Sequence, residues 1–278
     1  MTRWNDQFKE DRNFPIHSAA PTVRYIVAST PRSGSHFLGQ MLRQTGLLGD
    51  PLEYFDRGNR KTWEHLASAA NESTQTYIER RRTTPNGCFG MKLHHTQLGS
   101  ALREFAPSGL FGRHRFIFLR RRDVLRQAVS FSVASQTGSW ISAVPVRSTA
   151  TYDFDDITAY LTEVCLQEAQ WRATLAVHRA NYLEVMYEDV VRDPLAAIIR
   201  IADYLGVDSA SIPAANTATA RQSTDITNQY VERYLRDVRS NPEQSRSTQD
   251  GITGFRRRPF RVKRIAAKAL SGILGTDQ

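Results

Sequence analysis

Tyr25 to Leu38 reads YIVASTPRSGSHFL, and the order of its residue types decides the fold. The apolar run Tyr25-Ile26-Val27-Ala28 stops at Ser29. A small polar loop, Thr30-Pro31-Arg32-Ser33-Gly34-Ser35, follows. Phe37, Leu38, Met41 and Leu42 then recur at helical spacing. Strand, small-residue loop and helix start together make a cradle for an anion. The unpaired N–H groups of a helix N-terminus converge there, and the helix dipole favours negative charge. Arg32 adds a fixed cation, and Ser33 and Ser35 add hydroxyl donors. The loop lacks the Gly-Lys-Ser/Thr ending of a nucleoside-triphosphate loop, and with it the hydroxyl that would hold magnesium. An ordinary turn would also use Pro, Ser and Gly, so the loop needs support from the rest of the chain.

Further along, the same grammar repeats. Cys88–Leu93 reads as a second strand, Arg115–Leu119 as a third and Tyr182–Tyr187 as a fourth. Helical segments are expected from the loop to about Thr45, over 60–82, near 97–106, from Val124 to about Gln136, from Asp153 to Asn181, from Pro194 to Leu205, and from Asp225 to Val238. Asp123 stands as an N-cap. Asp193-Pro194 supplies a cap and a proline at the first helical position, and Gly206 a stop. Strands alternating with helices predict an α/β fold, a P-loop-like parallel sheet with helices on both faces. In such sheets ligands bind beyond the carboxyl ends of the strands. Three of those ends carry cations here: Arg32 after the first strand, Lys92 with His94 and His95 at the second, and Arg120-Arg121-Arg122 after the third. Their convergence points to a multiply charged anion; the alternative is a set of solvated surface charges.

Bulk properties narrow the class. The 278 residues suffice for a full core. No apolar run approaches the ~20 residues of a membrane span, and the first twenty residues lack the apolar segment of a secretory signal. Two cysteines, Cys88 and Cys165, read as buried thiols of a reducing cytoplasm, without zinc-ligand spacing. The net charge is +9. Residues 251–278 hold seven Arg or Lys and one acid, so the remaining body is only mildly basic and no nucleic-acid partner is expected. Within that tail Val262, Ile265, Ala266, Ala269, Leu270 and Ile273 form one helical stripe beside Arg261, Arg264 and Lys268. This basic amphipathic pattern suits a membrane surface, or equally a helix docked on the body or a second subunit. The chain accordingly divides into a polar N-terminal arm (1–22), a main domain (23–238), and a polar linker with the basic helix (239–278).

TPRSGS, LRRRDVLRQAVSF and YEDVVRDPLAAIIRIADYLGV resemble sulfotransferases that use 3′-phosphoadenosine-5′-phosphosulfate (PAPS). GLLGDPLEYF, PNGCFGMKLHHTQ and RRDVLRQAVSF are similar to the bacterial trehalose 2-sulfotransferase family and its relatives acting on lipopolysaccharide and other glycans. The resemblance runs from about Arg24 to Val238 and implies a sulfotransferase fold, transfer to a carbohydrate hydroxyl without a metal, and a homodimer. By it, Arg32, Ser33, Gly34, Ser35, His36 and Phe37 would surround the 5′-phosphosulfate. Arg121 and Ser130 would hold the 3′-phosphate, with Arg120 and Arg122 as open alternatives in register. Arg221 and Gln222 would lie near the nucleotide. Glu53 would be the general base, with Arg32 and Lys92 stabilising charge. Glu53, Phe55, His95 and Trp140 would line the acceptor, Phe55, Trp140 and Tyr54 offering aromatic platforms that serve as often in cores. His36 and His94 fit capping or packing roles better than base roles, and Tyr187-Glu188 fits a structural strand end. A cytoplasmic enzyme, peripheral at a membrane if the tail binds lipid, is the resulting expectation. The alternatives are a P-loop nucleotide kinase and a non-catalytic nucleotide-binding protein at a membrane surface.

Overall fold

A computed structural model of the chain describes residues 5–140, 149–213 and 225–240. The chain divides into two compact units, Met1–Val231 and Glu232–Gln278. The basic amphipathic stripe of the tail lies outside the described residues. None of the described helices is long and apolar enough to cross a membrane.

Four parallel strands form the sheet: β1 (Val23–Ser29), β2 (Cys88–His94), β3 (Arg115–Arg120) and β4 (Tyr182–Met186), in the order β2-β1-β3-β4. Side chains alternate between faces along a strand, and here both faces are covered. Ile26, Ala28, Met91, Leu93, Phe116 and Phe118 pack to one side with Trp63 and Trp171. Tyr25, Val27, Ile117, Leu119 and Val185 pack to the other with Leu38, Leu42, Ile198 and Ile201. This double burial is why the strands read as continuous apolar runs. The chain leaves β1 toward β2 on one side and later runs from β3 to β4 on the other. The order therefore reverses between β1 and β3, and a crevice opens at their carboxyl ends.

The helices are α1 (Ser35–Gln44), α2 (Arg57–Ala69), α3 (Thr74–Arg82), α4 (Leu98–Arg113), α5 (Val124–Thr137), α6 (Phe154–Val177), α7 (Tyr187–Arg192), α8 (Pro194–Leu205) and α9 (Asp225–Ser240). Asp123 and Asp193 cap α5 and α8 as expected, accepting from the amides of Arg126 and Ala196. The single helix expected over 60–82 is instead two. Asn71 is left-handed (φ 56°) and Ser73 caps a new start, a stop and restart that weak amphipathicity did not reveal. Helix α4 runs past 106 to Arg113, with a break at Ala106, which precedes Pro107. Cys88 is buried but Cys165 is exposed on α6, so only one thiol is sequestered.

The described residues of the polar N-terminal arm are tied to the body. The Arg82 guanidinium, fully buried, donates to the carbonyls of Gln7 and Arg12 and to Asp50. Arg12 makes two 2.7 Å bonds to the same buried carboxylate. Phe14 and His17 donate backbone N–H groups to the carbonyls of Arg81 and Arg80. This fastening matters because Asp50 opens the loop that carries Glu53.

Candidate active site

Beyond Ser29 the chain turns within five residues. Ser33 N–H bonds the Thr30 carbonyl at 3.3 Å, and Arg32 takes a left-handed conformation, φ 62°. Gly34 follows at φ 89°, and an added Cβ would lie 2.1 Å from the Tyr187 ring. Glycine is therefore required here twice over, by backbone and by space. The loop is braced from outside. Gln127 of α5 donates to the Thr30 hydroxyl (2.7 Å) and the Pro31 carbonyl (2.6 Å). Trp171 of α6 donates to the Ser29 carbonyl at 3.0 Å. Arg32 reaches Ser130 of α5 (Nε to Oγ, 3.0 Å) and the carbonyl of Trp140. Burial, and then the neighbouring Arg121, pull the Arg32 guanidinium down to about 10, so it stays a cation at neutral pH.

At the end of β3 three consecutive arginines have different fates. Arg120 is held by Glu168 (2.8 Å) and Glu184 (2.6 Å). Arg122 is held by Asp189 through two bonds, 3.0 and 2.6 Å. Arg121 instead turns to the loop. It donates to the Arg32 carbonyl at 3.3 Å, lies over the Tyr187 ring at 5.0 Å, and comes only within 4.0 Å of Glu188. Burial lowers its pKa. Its Nε and the Ser33 hydroxyl are buried without a hydrogen-bond partner. Orphaned donors of this kind, one cationic, on two walls of one crevice fit an anion with several oxygens.

Beside β2, Leu52 pairs with Met91 as a short parallel bridge, and Lys92 N–H bonds the Leu52 carbonyl at 2.9 Å. That pairing carries Glu53 to the strand end. Lys92 Nζ stands 2.8 Å from Glu53 Oε1, His94 Nε2 3.4 Å from the same oxygen, and Gln97 Nε2 donates to Oε2 at 2.9 Å. Burial alone would raise the Glu53 pKa. Lys92, followed by His94, more than cancels that and holds the carboxyl well below the usual range. His36, on α1, experiences the charges of Lys92, Arg12, Glu53 and Arg32 together, so α1 brings the loop and the Glu53 cluster into one neighbourhood.

The sequence model of the Stf0 sulphotransferase family matches residues 24–237. This chain belongs to that family. A trehalose 2-sulfotransferase of Mycolicibacterium smegmatis is 29% identical over 259 residues, 78% of this chain and 96% of the relative. One from Mycobacterium tuberculosis is 27% identical over 251 residues, 76% and 93%. Nodulation protein H of Rhizobium meliloti is 24% identical over 232 residues, 78% and 91%.

In this Stf0 sulphotransferase, Arg32–Ser35 follow β1, Lys92 lies in β2 beside the Glu53 loop, Arg121 follows β3, and Ser130 lies within α5 in reach of Arg32. Other expected site residues stand differently. Phe55 is 6% exposed and packs edge-on against Phe105 beneath Arg60. Tyr54 is buried with its hydroxyl on the Asp50 carbonyl at 2.6 Å. Neither offers a face to a sugar; both belong to the core, where their area is better hidden from water. Trp140 is 37% exposed and stands edge-on to Phe131. His95 turns to α6, against Thr174 (3.2 Å) and the Trp171 ring. His36 bonds Gln40 at 2.8 Å, and burial, then Lys92, push it down to about 3, so it is a neutral imidazole. Phe37 meets the Tyr187 ring edge-on. Arg221 and Gln222 lie outside the described residues.

Gln97, Gln127, Asp50 and Arg82, which no motif marks, brace the candidate site residues or the segments that carry them. His94, which suits a capping or packing role, caps the turn after β2 and also faces Glu53. The sequence signal for Gln97 is its spacing three residues after His94, just past a strand, which brings the glutamine back over the turn.

Proposed function

We propose that this enzyme transfers a sulfo group from PAPS to a hydroxyl of a carbohydrate, a trehalose-like disaccharide or a sugar of a glycolipid or lipopolysaccharide. The observation that carries the reading is the pairing of two features at one crevice. One is an anion cradle with orphaned donors, Ser33 Oγ and Arg121 Nε. The other is a carboxylate, Glu53, held ready at the adjoining strand end. Names of the two trehalose 2-sulfotransferase relatives, matched along 96% and 93% of their lengths, favour a sugar acceptor.

When bound, the donor supplies the sulfo group and a phosphate leaving group. The loop amides, Arg32 and Ser33 would neutralise charge growing on that phosphate, while Arg121 and Ser130 would fix the 3′-phosphate. Lys92 stands at the Glu53 carboxylate and can share charge between acceptor and donor sides. Glu53 takes the proton of the attacking hydroxyl at one carboxylate oxygen. A kinase reading is not favoured, since Arg32-Ser33-Gly34-Ser35 lacks the Lys-Ser/Thr ending.

The test is direct. 3′-Phosphoadenosine-5′-phosphate (PAP) should raise the melting temperature, and Arg32→Ala should remove that rise. Glu53→Gln should keep the rise but lower kcat by about 10²–10⁴-fold. Labelled donor offered to trehalose, glycolipid and lipopolysaccharide fractions should name the acceptor. No stabilisation at saturating PAP would end the proposal.

A further inference from the structure

Glu53 stands on an irregular loop that joins the sheet through the Leu52–Met91 bridge. Residues that precede β1 grip this loop as well. Arg82 Nη1 donates to the Arg12 carbonyl at 3.0 Å and Arg82 Nη2 to the Gln7 carbonyl at 2.8 Å, so one buried guanidinium clips the chain at both residues. The side chains of those same two residues reach to either side of Glu53. Arg12 makes its two 2.7 Å bonds to Asp50, upstream of Glu53 in the loop. Gln7, 4% exposed, donates through Nε2 to Asn59 Oδ1 at 2.9 Å. Asn59, in the first turn of α2, donates through Nδ2 to the Glu53 carbonyl at 3.4 Å, beside the Asp56 N–H at 3.2 Å. A carbonyl only accepts, so the Asn59 nitrogen must face Glu53 and its oxygen must face Gln7. Between the two grips Phe8 packs on Trp63, ring centroids 4.9 Å apart, and Trp63 meets the Tyr54 ring edge-on. The segment lies ahead of residues 24–237, the stretch matched to the family.

We propose that residues 7–12 are a positioning element of the reaction: they hold the Glu53 loop upstream through Asp50 and downstream through Asn59, and so fix where the base stands relative to the anion loop. The proposal rests on the base reading of Glu53 given above. A base works only within hydrogen-bond reach of the proton it takes, and a displacement of about 1 Å caused far from the chemistry can cost about 10²-fold in rate. Lys92 and Gln97 hold the Glu53 carboxylate, but they do not fix the backbone that carries it. Between the bridge at Leu52 and the start of α2 at Arg57 that backbone has no strand or helix of its own, so side chains from elsewhere must set its path. The anion loop is braced separately, by Gln127 and Trp171. The segment therefore bears on the base and not on the donor. Gln7 and Arg12 act through the Glu53 loop and are positioning residues in that sense.

Gln7→Leu and Arg12→Met, each made in the full chain, keep the apolar bulk and remove one grip. Asp50 retains Arg82 and Arg43 in both. Both variants should keep the PAP-induced rise in melting temperature and the donor KM. Both should lower kcat by about tenfold or more, measured well below the melting temperature. A brace that is merely structural would lower the melting temperature and leave kcat intact, so kcat within about threefold of the wild type in either folded variant overturns the proposal. Gln7→Leu leaves every contact of Asp50 in place and decides the matter by itself if Arg12→Met does not fold. Added to Glu53→Gln, Gln7→Leu should lower kcat no further, because the position of an absent base no longer counts. A further loss of about tenfold there would show that the segment acts elsewhere, and the proposal falls. If Glu53→Gln is itself fully active, the base reading fails first and takes this one with it. An inactive Glu53→Gln beside a fully active Gln7→Leu overturns this inference alone.

Discussion

Two arginine clusters, one on either side of the Glu53 loop, are built from the same residue type to opposite ends. At Asp50, Arg12 and Arg82 close on a fully buried carboxylate at 2.7–2.9 Å, and Arg43 stands at 3.7 Å. The anion there is part of the chain, and the product is a fastened N-terminal segment. At the β1/β3 crevice, Arg121 lies near enough to lower the Arg32 pKa, and among the described residues its ion pair is Glu188 at 4.0 Å. In the proposed function the anion there belongs to the ligand. Arg120 and Arg122, next in the chain to Arg121, already have Glu168, Glu184 and Asp189. Counting arginines thus says little about a ligand site; what matters is how tightly the fold's own carboxylates hold each of them.

Removing the internal anion should have the largest effect. Asp50→Ala leaves buried guanidinium groups uncompensated and should cost about 3–5 kcal/mol, read as a shift in the urea midpoint. If stability holds, the cluster is not the structural half of the pair. At the crevice the sign should reverse. Arg121→Ala should leave the midpoint nearly unchanged but weaken PAP about 10–100-fold in calorimetric titration, the range of one charge-assisted contact. Equal loss of stability would erase the distinction between the clusters.

Acid separates the Glu53 cluster further. The folded Glu53 pKa is depressed, so its contribution is fully present above the unfolded value of about 4.3 and is lost as pH falls through the folded value. Unfolding midpoints taken between about pH 7 and pH 3 should fall less steeply in Glu53→Gln than in the wild type. The smallest effect belongs to Arg122, whose Asp189 pair lies at the surface. Arg122→Ala should change neither PAP affinity nor the unfolding midpoint measurably. A strong loss of nucleotide binding there would move the 3′-phosphate contact one residue along the strand end.

Much of the site was legible in order along the chain. A strand that breaks into Thr30-Pro31-Arg32-Ser33-Gly34-Ser35 announces its own cradle, because backbone conformation and helix capping are local. Lys92 stands out at its strand end and Glu53 through the family resemblance, and the Leu52–Met91 bridge explains why they meet. Phe55 and Tyr54 misled because aromatic residues suit sugar stacking and core packing equally, and only burial distinguishes the two. Gln97, Gln127 and His94 in its contact with Glu53 carry no local signature: each acts on a residue at least 30 positions away or across a turn.

By itself the sequence determined the parallel α/β architecture, the anion loop and the family, since these rest on periodicity, turn chemistry and motif order. The tertiary structure alone decided which of three adjacent arginines faces the loop, that the N-terminal residues are tied to Asp50, and that Glu53 sits among Lys92, His94 and Gln97. Those outcomes depend on counterions and hydrogen-bond partners brought together by chain crossings, and a charge gains meaning only from what the fold places beside it.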